Sequence, residues 1–240
     1  MKRLILCFIY LIFLSVSLRA EKNEGIAYRD SILILAESMP SDTARLAYLQ
    51  SMAYCHQYFP YNRYFATALY EEAKRQKNIF YENEGAYYLA GYYDKKHDPD
   101  SLTYWVNQLK ELVSGVGTYD YYLERKAAIG RALASKRMIE KAVHVTKEVL
   151  EEAIAHNSNN GKIAAYNSLG CAYSVSSRPE EALKVLMKAY HEFKPGTKPF
   201  LKVDILSRIT QVYGNGGDDK SKMPYLCEMD KTCLLYTSDA

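Results

Sequence analysis

Cysteine is scarce in this chain: five in 240 residues, with only Cys55, Cys171 and Cys227 away from the two ends. Three widely spaced cysteines with no CxxC pair exclude a disulfide framework, although pairing between any two of them stays open. Histidine is equally thin. His56, His97, His144, His156 and His191 show neither HExxH nor any paired metal spacing, so no metal site is expected. The Gly-rich run from Gly214 to Ser221 has Asp219 where a phosphate-binding loop needs glycine, and no strand precedes it. Asp94, Asp98 and Asp100 lack the glycine and distal glutamate of a calcium loop. Paired carboxylates such as Glu71-Glu72 and Glu180-Glu181 fall where solvated helix faces are expected, and no Ser/His/Asp set is nominated. The expectation is a segment without cofactor, metal or catalytic residues. There is no excess of charge of one sign. Setting aside Lys2, Arg3 and Arg19 at the front and Asp239 at the back takes 31 Lys+Arg and 28 Asp+Glu to 28 and 27. Such a near-neutral chain has no electrostatic footprint for nucleic acid or for an anionic membrane surface. Alternating strand patterns are lacking too, which leaves an all-α chain.

One apolar run is present, at the N-terminus. Met1-Lys2-Arg3, the run Leu4–Leu14 and the small-residue stretch Ser15 to Ala20 have the three parts of a secretory signal peptide, residues 1–20. The run is shorter than the roughly 20 residues of a spanning helix, which favours cleavage over anchoring. The expected location is therefore exported, periplasmic or in the cell envelope. At the other end, residues 233–240 (CLLYTSDA) are what TGT CTC TTA TAC ACA TCT GAC GCT encodes, a string that resembles a transposon-end sequencing adapter read in frame. They are read as a non-native tail, which makes the chain a C-terminally truncated fragment.

Between the ends the sequence repeats itself. The clearest unit is Tyr166-x-x-Leu169-Gly170-x-x-Tyr173 followed by Ala182-x-x-x-Leu186-x-x-Ala189. Tyr166, Leu169 and Tyr173 share one helical stripe, while Gly170 and Ala182 are small where two helices approach. In phase with it are Ile129-Gly130-x-x-Leu133 with Ala142, Thr146 and Val149, where Lys126 replaces the expected aromatic, and Ala86-x-x-Leu89-Ala90-x-x-Tyr93 with Leu102, Val106 and Leu109. Leu49-x-x-Met52-Ala53 with Ala66, Tyr70 and Ala73 comes earlier, and Leu206-x-x-Ile209-Thr210-x-x-Tyr213 opens a fifth unit. The pattern resembles the tetratricopeptide repeat (TPR), a helix-turn-helix hairpin of about 34 residues. The resemblance implies an α-solenoid of about four to five hairpins over residues 43–232, the last incomplete, preceded by a capping helix in residues 21–42. Equivalent residues Ala53, Ala90, Gly130 and Gly170 are spaced by 37, 40 and 40. The excess over 34 is expected in connections such as Ser114–Gly117 and His156–Gly161.

In TPR arrays the first helix of each hairpin lines a concave groove that holds ligand. Carried to this chain, the resemblance implies Gln50, Tyr54, Gln57, Tyr58, Tyr87, Asp94, Arg131 and Asn167 as groove residues, with Gly91 and Cys171 beside them. Tyrosine and asparagine suit an extended peptide, which offers apolar side chains together with unpaired backbone groups. The clustered Lys, Asn and Arg that clamp a C-terminal carboxylate in some members are missing. Adjacent pairs among the 23 tyrosines, such as Tyr87-Tyr88 and Tyr121-Tyr122, point about 100° apart, so one of each pair faces away from the seam. The expected function is protein or peptide binding, with no nucleic acid bound and self-association left open. Export, capping helix, array and truncation together resemble the sensor half of bacterial membrane signalling regulators, whose missing part would supply a membrane helix and an output domain such as a histidine kinase. Two alternatives stand beside it: a self-contained exported scaffold, and the accessory region of an enzyme whose catalytic domain is missing.

Overall fold

A computed structural model describes residues 25–56, 61–116 and 119–238, the side chains of 114, 116 and 234–238 excepted. The predicted signal segment, residues 1–20, together with Gln57 and Tyr58, lies outside the described residues. All regular structure among the described residues is helical. The helices are α1 (25–38), α2 (Thr43–Cys55), α3 (Asn62–Arg75), α4 (Ile79–Lys95), α5 (Pro99–Val116), α6 (Tyr119–Ser135), α7 (Ile139–Ala155), α8 (Asn159–Val175), α9 (Pro179–His191), α10 (Pro199–Asn215) and α11 (Asp219–Ser238). The chain divides into two compact units, the first ending at Tyr88 and the second starting at Leu89.

From α4 onwards a beat of 20 residues organises the chain, with helices starting at Ile79, Pro99, Tyr119, Ile139, Asn159, Pro179, Pro199 and Asp219. Five helices, α4, α6, α7, α8 and α10, are each 17 residues long, and three-residue turns such as His156–Ser158 join them. In each turn the middle residue is left-handed: Lys77, His97, Arg137, Asn157 and Ser177 have φ of 55, 51, 60, 51 and 59°, and Gly217 has 74°. The residue after it closes a six-to-one hydrogen bond back onto the helix, as in Asn78 N–H to Ala73 C=O (2.8 Å), Met138 to Leu133 (3.0 Å) and Arg178 to Tyr173 (2.9 Å). This is the Schellman cap, which satisfies two of the carbonyls a helix end leaves orphaned. That same residue then opens the next helix. Asp98, Ser158 and Asp218 accept from the backbone N–H three residues on (3.2, 2.9 and 3.0 Å) and so also cap its N-terminus.

Two such helices make a 40-residue hairpin, and the excess over 34 lies inside the helices, correcting the expectation that it sits in long connections. Ser114 to Val116 belong to α5, and α8 already begins at Asn159. In the second unit the hairpins α6–α7 and α8–α9 pack internally, and α8 also lies against α6, α7 and α10. The seams are built from small residues. A methyl group placed on Gly170 would come 2.6 Å from Leu186 of α9, and Ala142, Thr146, Ala182 and Leu186 are fully buried. In the first unit α2 packs on α3. There Leu46, Leu49, Ala53, Phe65, Ala66 and Leu69 form the buried seam, and Tyr70 backs Gly85 of α4 at van der Waals limit.

Helix α9 is 13 residues long, and the loop from Glu192 to Lys198 replaces its last turn while α10 still starts 20 residues after α9. Gly196 takes φ of 90° in that loop, and the Thr197 hydroxyl accepts from the Lys194 N–H at 2.9 Å.

Candidate functional site

The predicted groove residues that are described, Gln50, Tyr54, Tyr87, Asp94, Arg131 and Asn167, fall on α2, α4, α6 and α8, the first helices of their hairpins. In the first unit the Gln50 amide donates to Glu84 Oε2 at 3.0 Å, with Glu84 itself 7% exposed. Tyr54 is 52% exposed. Tyr87 is half-buried with its ring edge-on to that of Tyr88, which turns inward. An aromatic cluster that the repeat pattern did not predict fills the end of this unit. The His56 ring lies between Tyr28, Tyr61 and Phe65 at centroid distances of 5.6, 5.7 and 5.2 Å, with Tyr28 Oη 3.1 Å from Nε2.

In the second unit Arg131 is the centre of the arrangement. It extends from α6, its Nη2 donating to Asp94 Oδ2 of α4 at 2.8 Å and its Nη1 lying 3.5 Å from Ser168 Oγ of α8. Ser168 in turn donates to the Ala127 carbonyl at 2.5 Å, locking α8 to α6. Arg131 and Asp94 each keep 17% of their side chains exposed. Burial works against the guanidinium charge, yet Asp94 and then Asp204 of α10 outweigh it and raise its pKa, so the charge is permanent. Residues from three other first helices, α4, α8 and α10, thus act on the cation that α6 carries. Gly91 is where the Arg125 guanidinium packs, since a Cβ there would come 2.7 Å from it.

Asn167 requires a correction. It is fully buried and so lines no accessible surface. Neither atom of its amide finds a partner among the described residues. Cys171, one turn on, is 8% exposed and is a free thiol, as are Cys55, Cys227 and Cys233.

A second polar site was not foreseen. Lys198, at the start of α10, places Nζ 2.6 Å from Glu124 Oε1 of α6 and 4.3 Å from the centre of the Tyr121 ring. Glu124 is 5% exposed, and burial raises its pKa despite the lysine. The contact joins residues 74 apart in sequence, and no repeat spacing points to it. Position 126, where the repeat pattern expects an aromatic, holds Lys126, bonded to Glu152 at 2.6 Å. Among the described residues no cluster of three or more His, Cys, Asp or Glu is arranged to hold a metal ion, and no helix is long and apolar enough to cross a membrane.

No family model matches the chain, and no curated protein matches it. Among solved structures it is similar to the crystal structure of BtubC (BKLC) from P. vanneervenii, with a TM-score of 0.54 and 15% identity over 90% of this chain and 92% of that one. The likeness extends over nearly the whole of both chains and is one of fold.

Proposed function

We propose that this chain is a peptide- or protein-binding module of TPR type, acting by binding rather than catalysis, with its ligand on the faces of the first helices. The observation that carries the reading is Arg131. It is fixed by Asp94 of α4 and Ser168 of α8, yet solvent still reaches it. A preorganised, partly desolvated arginine is a residue type on which interfaces concentrate binding energy, because little side-chain entropy remains to be lost. Exposed Tyr54 and half-buried Tyr87 supply the first unit with aromatic contacts of the kind that bind extended peptides. With the N-terminal signal pattern, the module reads as the extracytoplasmic sensing or interaction region of an envelope protein. A self-contained exported scaffold is the second reading, distinguished by what the native gene encodes after Thr232.

The test is selection of a displayed random-peptide library on the purified chain, followed by affinity measurements with Tyr54→Ala, Tyr87→Ala and Arg131→Met. Selected peptides should lose at least tenfold affinity to one of the three variants with helical content unchanged, the cost of about 1.4 kcal/mol expected of an interface anchor. No enrichment, or affinities indifferent to all three, refutes the reading.

A further inference from the structure

Helices α6, α8 and α10 share one 40-residue register, in which Glu124, Ala164 and Asp204 are equivalent, as are Arg131, Cys171 and Gln211. α8 packs against both α6 and α10. Two charge contacts nevertheless run from α10 directly to α6. Lys198 places Nζ 2.6 Å from Glu124, and the carboxylate of Asp204 acts on the Arg131 guanidinium. In the register Glu124 and Arg131 stand level with Ala164 and Cys171. Side chains of α6 and α10 therefore meet at both ends of the α8 stretch that contains Asn167, and Ala164, Asn167 and Cys171 are all buried.

Asn167 is the odd group in this stretch. It is 0% exposed, and neither its amide nitrogen nor its amide oxygen has a partner among the described residues. A primary amide taken out of water with none of its hydrogen-bonding positions used is costly. The equivalent position on α6 is Ala127, equally buried and free of that cost. A polar group kept where alanine packs as well is placed for a partner that arrives from outside. We propose that the α8 face at Asn167 is a closed peptide site, held shut by the Lys198–Glu124 bridge from α10 to α6 and opened to let a peptide amide pair with Asn167. The proposal rests on the binding reading given above and adds its regulation. A peptide bond offers one donor and one acceptor, the complement of the side-chain amide. The bridge is built to give way at the α10 end. Lys198 is a quarter exposed and closes the seven-residue loop from Glu192, so the start of α10 is not tied to α9 by continuous helix. Glu124 is 5% exposed, and without its cation the buried carboxylate draws in water, which favours the open form.

The opening is measured first without ligand. In the full chain with its five cysteines replaced, Cys171 by alanine and the others by serine, Asn167→Cys supplies a single thiol at the closed site. Its reaction with iodoacetamide should be about tenfold faster with Lys198→Met and unchanged with Lys198→Arg, which keeps the charge. Val149→Cys in the same background puts a thiol in the fully buried α7 seam. Its rate should not respond to Lys198→Met, which separates local opening from unfolding of the unit. A rate at position 167 indifferent to Lys198→Met, or a rise shared with position 149, overturns the bridge. The second arm uses the tightest peptide from the displayed library. It should bind Lys198→Met about tenfold more tightly than the unaltered chain, because the opening is already made, and Asn167→Ala should cancel that gain. Affinity indifferent to both changes overturns Asn167 as the site, while a loss on Tyr54→Ala, Tyr87→Ala or Arg131→Met would still support the groove. If the library yields no peptide, the binding reading and this peptide site fall together, and the thiol rates alone decide the bridge.

Discussion

Replacing Arg137 and Ser177 by glycine should stabilise the protein. Both residues are exposed, both sit at the left-handed position of a Schellman turn, and their φ angles are 60 and 59°. For a residue with a Cβ that conformation costs about 1–2 kcal/mol, and glycine removes the cost. Glycine also loosens the unfolded chain, which returns about 0.4–1 kcal/mol. The net gain expected is about 0.5–1 kcal/mol per site, or roughly 1–4 °C in Tm for a chain of this size. Urea unfolding followed by circular dichroism measures it as a higher midpoint with an unchanged slope. Two controls isolate the cause. Asn157→Gly should gain less, because asparagine tolerates the left-handed region, and Ser177→Ala should gain nothing, because it keeps the Cβ. If Ser177→Ala stabilises as much as Ser177→Gly, the serine side chain and not the backbone is the source, and the account of the turns is refuted.

Two buried glutamates should respond to pH in opposite senses. Burial raises the pKa of Glu124 above its ordinary 4.5 against the pull of Lys198, so the folded state holds its proton more tightly than the unfolded. Its stability contribution is then complete below pH 4.5 and is lost as pH rises through the raised folded value. Glu124→Gln should remove that slope and be neutral to about 1 kcal/mol stabilising at neutral pH; a slope unchanged in urea titrations across this range would refute it. For Glu72, 3% exposed, burial is outweighed by hydrogen bonds from Ser41 (2.5 Å) and Gln76 (2.7 Å) and by Arg45 and Arg75, and the pKa falls below 4.5. Its contribution is present above pH 4.5 and disappears as pH drops through the lowered folded value. Glu72→Gln should therefore cost about 2 kcal/mol at pH 7 and almost nothing in acid, and a cost equal at both pH values would contradict the charge assignment.

How far the fold could be read from sequence depends on which residues carried the information. The seams were legible: Leu169 and Gly170 on one helix and Ala182 and Leu186 on the next are a local pattern, and a local pattern is what helical periodicity reports. Helix length was not, because the turns at Lys77 and Arg137 use residues that carry no breaker signal. Without glycine or proline to mark them, the surplus residues were assigned to Ser114–Gly117 and His156–Gly161, which contain the glycines. The site divides along the same line. Asp94 and Arg131 are 37 residues apart, close to one repeat, so repeat phase set them on adjacent helices where they pair. Asn167 was expected in the groove because phase alone does not say how much of a helix its successor covers.

Lys198 and Glu124 show why the remainder was out of reach. Their separation of 74 is not a multiple of the 40-residue hairpin. It is six residues short of two hairpins, and a contact off the period is invisible to any reading that advances by the period. Lys198 stands directly before α10, as Ser158 and Asp218 stand before α8 and α11. Those two side chains cap their own helices, whereas that of Lys198 makes no cap bond and its ammonium reaches Glu124 of α6 at 2.6 Å. A side chain that leaves its local cap for a buried carboxylate two hairpins back is where a repeat protein departs from the sum of its repeats.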